Sequence, residues 1–162
     1  MGEIIKVGIA DLKVGESGDI LITVGLGSCV GVCCYDPVAK IGGLSHIMLP
    51  ESSLAGSPPL KPTKYADTAI PMLVDQMEEK GGVRRRFEVK IAGGARMFRT
   101  LSDNGTINIG ERNVKAVKEV LNALELKLVG EDTGKNYGRT VELHTDTGRV
   151  IVKTAGMGSY EI

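Results

Sequence analysis

A single cysteine, Cys29, closes the glycine-rich segment Thr23-Val24-Gly25-Leu26-Gly27-Ser28-Cys29-Val30, and one of the chain's two histidines, His46, lies one short hairpin downstream. A thiol becomes a nucleophile near neutral pH when a base or a positive charge stabilises its thiolate. Histidine is the side chain whose ordinary pKa suits that task. If the fold closes the pair, the chemistry is that of a cysteine hydrolase; if not, Cys29 is a small apolar residue. A turn centred between Pro37 and Val38 sets Cys29 directly opposite His46, and a turn centred on Leu26 sets Thr23 opposite Cys29. Directly opposed residues of an antiparallel pair have Cα atoms about 4.5–5.5 Å apart and share a face. Thr23, Cys29 and His46 are therefore expected side by side on three neighbouring strands, with Cys29 in the middle. A slip of half a residue in either turn centre would carry the partner to the other face.

Other residues compete for these roles. Ser28 is the alternative nucleophile, but no G-x-S-x-G elbow surrounds it. His144 alternates with Val141 and Leu143, which sets it on a polar strand face as the reserve candidate for the base. Cys33 shares the face of Cys29 two pleats further on, Cys34 points the other way, and both read as packing residues. The cysteine spacing is not that of a zinc site, and with only two histidines no metal is expected; hydrolysis by a thiol needs no organic cofactor either.

These residues need elements to hold them. Ile20 to Val24, Cys29 to Tyr35 and Ile41 to Leu49 are apolar, β-branched runs bounded by turn residues and read as strands, with Asp36-Pro37-Val38-Ala39 as a turn. Lys64 to Lys80 carries a helical stripe through Tyr65, Ala69, Ile70, Leu73, Val74 and Met77. Pro71 is expected to kink that helix or cost it a turn, and Gly81-Gly82 to end it. Phe87 to Ala92 reads as a strand leading into Gly93-Gly94. Asn108 and Glu111 have capping-box spacing ahead of a helix whose apolar face is Val114, Val117, Leu121 and Leu124. Thr140 to Thr145 and Arg149 to Lys153 flank Asp146-Thr147-Gly148, a hairpin signal. About six strands and two or more helices, not strictly alternating, indicate an α+β layered sandwich with a mixed, largely antiparallel sheet.

Composition narrows the classes. The 162 residues suit one domain, 1–162, with 42% hydrophobic and 25% charged residues. Twenty basic residues balance twenty acidic ones, so no global field favours nucleic acid or an anionic membrane. The one basic cluster, Arg84-Arg85-Arg86, reads as a solvated turn. No apolar run approaches the ~20 residues of a membrane helix, and the N-terminus has no signal-peptide pattern, so a cytoplasmic protein is expected. A balanced, patch-free composition makes a monomer the default. The 22 glycines are about twice the usual ~7% and fall in short groups between apolar stretches, as turns and cleft-lining loops do. The stretch from Pro50 to Pro62 reads as a surface loop.

The segment from Thr23 to Val30, followed by His46 in Gly43-Leu44-Ser45-His46-Ile47-Met48-Leu49-Pro50, resembles the chemoreceptor glutamine deamidase family, CheD. Further matches run in family order: Lys64-Tyr65-Ala66-Asp67, Ile91-Ala92-Gly93-Gly94-Ala95, Asn108-Ile109-Gly110-Glu111-Arg112-Asn113 and Gly134-Lys135-Asn136-Tyr137-Gly138-Arg139. The resemblance implies that Cys29 is the nucleophile, His46 the base and Thr23 the residue that orients His46. It implies a fold similar to the catalytic domain of the cytotoxic necrotizing factor toxins. The implied substrates are glutamines on the cytoplasmic helical bundle of chemoreceptors, hydrolysed to glutamate through a thioester, with weak esterase activity as a side reaction. Backbone near Gly27, Ser28 and Cys29 is expected to meet the oxyanion, and the Gly93-Gly94 and Gly134 to Gly138 loops to approach the substrate helix. The phosphatase CheC is an implied partner. Two other readings stay open: a regulatory module that binds CheC or receptors without turnover, and a general thiol hydrolase or transglutaminase-like acyl transferase.

Overall fold

The computed structural model describes residues 2–55, 61–97 and 108–162. The alternating strand at Ile41–Ile47 (β5) pairs antiparallel with Leu12–Glu16 (β2) on one side and with Val30–Asp36 (β4) on the other. Beyond β4 lie Glu88–Gly93 (β6), antiparallel to it, and Lys127–Thr133 (β7), parallel to β6. This sheet has the order β2-β5-β4-β6-β7. A second sheet has the order β1-β3-β8-β9-β10, built from Ile4–Lys6 (β1), Ile20–Leu26 (β3), Arg139–His144 (β8), Val150–Thr154 (β9) and Gly158–Glu161 (β10).

Side-chain alternation decides the layering. On β4, Val30, Val32 and Cys34 point into a core shared with two helices, α1 (Ala66–Glu79) and α2 (Ile109–Ala123). Cys33 points the opposite way, into a second core with Leu44, Ala92, Leu21, Val141, Leu143, Val150 and Val152. The order is therefore helices, first sheet, second sheet. The α+β layered class holds, with two mixed sheets and ten strands among the described residues, where one sheet of about six was expected.

Local signals act as expected at several joints. Asn108 Oδ1 accepts from the Glu111 N–H at 3.0 Å while its Nδ2 donates to Glu111 Oε1 at 3.0 Å, capping α2. The Gly82 N–H reaches the Met77 carbonyl at 2.9 Å and Gly81 N–H the Glu78 carbonyl at 3.0 Å, a Schellman stop to α1. Helix α1 runs through Pro71 and begins at Ala66, after a 3-10 turn at Pro62–Lys64. Ser52–Ala55 forms another 3-10 turn, and residues 56–60 of the expected surface loop lie outside the described residues. The Arg84-Arg85-Arg86 cluster is not wholly solvated: Arg86 grips the buried Asp36 carboxylate, with Nη2 to Oδ2 at 2.8 Å. No helix among the described residues is long and apolar enough to cross a membrane.

Candidate active site

His46 sits on the inner face of β5, fully buried, with its own backbone clipped to the chain just before β2: its N–H donates to Asp11 O at 2.9 Å and its carbonyl accepts from Ala10 N–H at 3.0 Å. Directly opposite on β4 is Gly31, not Cys29. The β4–β5 loop is the four residues Pro37 to Lys40 and not a two-residue turn; Lys40 takes a φ of 56° and its N–H closes onto Asp36 O at 2.8 Å. The register moves by one whole residue on each strand, so the faces are unchanged. Cys29 precedes Gly31 by two, just before β4 begins, and packs against the inter-sheet core of Cys33 and Leu44, the side of the first sheet to which His46 also turns.

The placement of Thr23 departs further from the expectation. β3 and β4 are not a hairpin. After Thr23 the β3–β8 pairing is irregular, Gly25 turns the chain with a φ of 73°, and residues 27–29 carry it from the second sheet into the first. Thr23 therefore reaches the site across the sandwich and not along a sheet. Its Oγ1 stands 2.7 Å from His46 Nδ1, and both side chains are buried. Strand pairing alone would set Cys29 between Thr23 and His46; the structure instead brings Thr23 directly onto His46.

The hydrogen-bond arithmetic at Thr23 fixes the imidazole tautomer. Thr23 Oγ1 also lies 2.8 Å from the Val7 carbonyl oxygen, which can only accept, so the single hydroxyl proton goes there. Oγ1 is left with lone pairs for His46, and Nδ1 must carry the ring proton. Nε2 is then the basic nitrogen. It is buried and has no hydrogen-bond partner among the described residues; in particular it is not bonded to the thiol of Cys29. Burial pushes the His46 pKa below its ordinary value of 6.5, so the ring is neutral at pH 7.

Cys29 is half-buried. Burial pushes its thiol up, and its own N–H, directed at the sulfur, offsets part of that rise. The resting pair is therefore a neutral thiol and a neutral imidazole, not a preformed thiolate. Three consecutive carbonyls of the loop are tied down: Gly27 O accepts from Ala95 N–H at 2.8 Å, Ser28 O from Asn113 Nδ2 at 2.9 Å, and Cys29 O from Gly94 N–H at 2.8 Å. In a planar trans peptide the N–H points opposite to the C=O. The N–H groups of Ser28 and Cys29 are thus turned away from Ala95 and Asn113.

Gly93 and Gly94 serve this packing. Gly93 has a φ of 114°, and a Cβ there would overlap the Cys29 carbonyl oxygen. A Cβ on Gly94 would overlap Val114 of α2. Arg139, buried, donates to the carbonyls of Gly134 at 3.0 Å and Gly93 at 3.4 Å, pairs with Asp132 at 3.1 Å and lies over the Tyr137 ring. Arg139 and Asn113 are the buried polar anchors that reading for reactive side chains overlooked; each closes one of the quoted polar motifs, which was the available signal. His144, the reserve base, pairs with Ile20 at the far end of β3 and contacts Glu142 at 3.2 Å, away from this loop. Among the described residues no three His, Cys, Asp or Glu side chains are grouped to hold a metal.

A groove of about 940 Å³ between β2 and α1 includes none of these side chains; one of about 500 Å³ opens beside Gly94 and Gly134 against α2.

A half-exposed thiol and a buried imidazole whose free nitrogen is Nε2 are the equipment of thiol-based acyl chemistry. Residues 48–154 match the family of CheD chemotactic sensory transduction proteins, a stretch that begins after Thr23, Cys29 and His46. Over 156 residues the chain is 51% identical to a probable chemoreceptor glutamine deamidase CheD of Caldanaerobacter subterraneus, covering 96% of each. Over 158 residues it is 52% identical to the protein of the same name from Clostridium botulinum, covering 98% of this chain and 97% of that one. The chain belongs to the CheD family.

Proposed function

We propose that this protein hydrolyses the side-chain amide of glutamines on chemoreceptors, giving glutamate and ammonia, with Cys29 as nucleophile, His46 as base and Thr23 as the residue that holds the ring. The observation that carries this reading is the tautomer: Val7 takes the Thr23 proton, Thr23 takes the Nδ1 proton, and Nε2 is left basic on the face that Cys29 shares.

Because both groups rest neutral, His46 Nε2 removes the thiol proton as the sulfur attacks the amide carbon. The oxyanion that forms meets the outward N–H groups of Ser28 and Cys29, where one well-aimed donor contributes about 3 kcal/mol. The protonated Nε2 passes its proton to the departing nitrogen, and ammonia leaves. The thioester remains. Neutral Nε2 then takes a proton from water, hydroxide adds to the thioester, and collapse returns the proton to sulfur and frees glutamate. Nδ1–H stays on Thr23 throughout, which keeps the ring from turning. The carbonyl pins on residues 27–29 leave the loop open outward, as a glutamine protruding from a helix requires. The groove beside Gly94 and Gly134 is the proposed seat of that helix, in a cytoplasmic, monomeric enzyme. A methyl ester of glutamate offers the same acyl carbon and is a slow alternative substrate.

Incubation with a glutamine-bearing receptor fragment tests the proposal: the fragment gains ~1 Da with the wild-type protein and not with Cys29→Ala. No gain, or an equal gain with both, refutes it. The missing hydrogen bond between Nε2 and the thiol favours one second reading, a module that binds CheC or receptors without turnover. Capture of CheC by a protein that never deamidates the fragment would select that reading.

A further inference from the structure

Asn113 is wholly buried on the face of α2 that carries Ala116, Val117 and Leu121. Its Nδ2 donates to two carbonyls from distant parts of the chain, Ser28 O and Met48 O, each at 2.9 Å. Ser28 O belongs to the peptide that carries the Cys29 N–H. Met48 lies two residues beyond His46, where β5 has just ended. Both partners can only accept, so the orientation of the amide is determined: turned over, Oδ1 would face two carbonyl oxygens. Oδ1 itself is buried with no partner among the described residues. A buried acceptor without a donor is a cost to stability, and an apolar side chain on this face would avoid it. The carboxamide is explained by what its two N–H groups hold.

We propose that Asn113 is a positioning residue of the reaction: a two-pronged clamp that fixes the Ser28–Cys29 peptide relative to the strand bearing His46. This rests on the thiol reading of the previous subsection. The two N–H groups of a carboxamide diverge at a fixed trigonal angle from one atom, so holding both carbonyls sets one loop against the other. Aspartate has the same shape and repels both oxygens; leucine has the same bulk and holds neither. Of the three donors on residues 27–29, Gly94 and Ala95 act through backbone, and Asn113 alone through a side chain. With Ser28 O drawn toward α2, the Cys29 N–H of the same plane points toward its sulfur and the developing oxyanion. Released, that peptide can rotate. The loss then falls on the chemical step more than on substrate capture.

The test compares wild type, Asn113→Leu, Asn113→Asp and Cys29→Ala in the full chain. Deamidation kinetics on a glutamine-bearing receptor fragment are measured beside the rate at which iodoacetamide alkylates Cys29 at pH 7.5, located by mass spectrometry. Cys33 and Cys34 are buried and both thiols are pushed up, so native alkylation reports on Cys29. The clamp predicts that kcat falls about tenfold to a hundredfold with KM within about threefold, and that alkylation slows at least about threefold, while the protein still melts cooperatively. If Asn113→Leu does not melt cooperatively, Asn113→Ala, which adds no bulk, takes its place. A cooperatively folded variant with kcat and alkylation rate within about twofold of wild type overturns the proposal. So does loss of cooperative folding in both variants, since Asn113 would then only support the fold. Activity that survives Cys29→Ala overturns the thiol reading itself, an outcome distinct from an unaffected Asn113 variant.

Discussion

The two ends of β4 treat their polar groups in opposite ways. At its last residue, the fully buried Asp36 is saturated: its Oδ1 accepts from the N–H groups of Val38 and Ala39 at 3.0 Å each, its Oδ2 from Val83 N–H at 2.9 Å, and both take the Arg86 guanidinium. At the other end, Cys29 is half-exposed and His46 Nε2 has no hydrogen-bond partner among the described residues. One end commits its polar groups to holding the fold; the other leaves a ring nitrogen uncommitted among the described residues and a thiol half-open to solvent. Cys33, between them on the face of Cys29, shows that the thiol alone is not the difference. It is sealed in the core, and burial drives its pKa up to about 12 despite the opposing pull of Lys90.

The contrast predicts that activity and stability separate along the strand. Cys29→Ala should abolish deamidation, by about 10⁴-fold or more, and leave the melting temperature within about 2 °C of wild type, checked by fragment mass and calorimetry. Arg86→Ala should do the reverse. Leaving the Asp36 carboxylate buried without its counter-charge costs about 3–5 kcal/mol in denaturant titrations, with kcat at low temperature within about threefold of wild type. Thr23→Val keeps the shape and removes the acceptor for Nδ1–H. A drop of about 10²-fold in kcat is expected, with loss of the single-tautomer signature of His46 in nitrogen NMR. A Thr23→Val enzyme with wild-type kcat would separate the tautomer from the chemistry.

The smallest effect is on acid stability, and it comes in two stages. The folded His46 pKa lies below 6.5, so the folded state binds fewer protons than the unfolded one there. Stability falls as pH drops below 6.5 toward the folded pKa, and His46→Gln removes that stage. For Asp36, burial alone would raise the carboxyl, but Arg86 and the three N–H donors outweigh it and hold it near about 2. Its contribution is complete above 3.8 and is lost as pH falls toward about 2, a stage that Arg86→Ala weakens and His46→Gln leaves intact.

Sequence pattern located every interior strand and missed every edge. β3, β8 and β9 of one sheet and β4, β5 and β6 of the other coincide with the six expected runs; β1, β10, β2 and β7 are the four edges. Edge strands bury less and carry charge, as Lys127-Leu128-Val129-Gly130-Glu131-Asp132-Thr133 does. With all edges unseen, the division into two sheets was invisible, and Thr23 was assigned to the wrong neighbour. At the site, His46 keeps its expected face because the loop error was a whole residue on each strand, and Cys29 packs on that side just before β4 begins. Asn113 escapes such a reading because a hydrogen bond to a carbonyl 85 residues away leaves no local period, and Arg139 because its bonds to Asp132, Gly134 and Gly93 follow no strand or helix spacing.

The passage of residues 27–29 from one sheet to the other has a further consequence, for the order of folding. Thr23 belongs to one sheet and His46 to the other, so their contact cannot exist until the two sheets have docked. Asn113 closes onto Ser28 only when α2 has joined as well. These are long-range contacts, the kind that form late because chain entropy must be lost first. A nascent or partly folded chain can hold either sheet and still lack an oriented base. On the proposed mechanism, turnover needs the docked sheets and α2 together, so turnover itself reports that folding is complete.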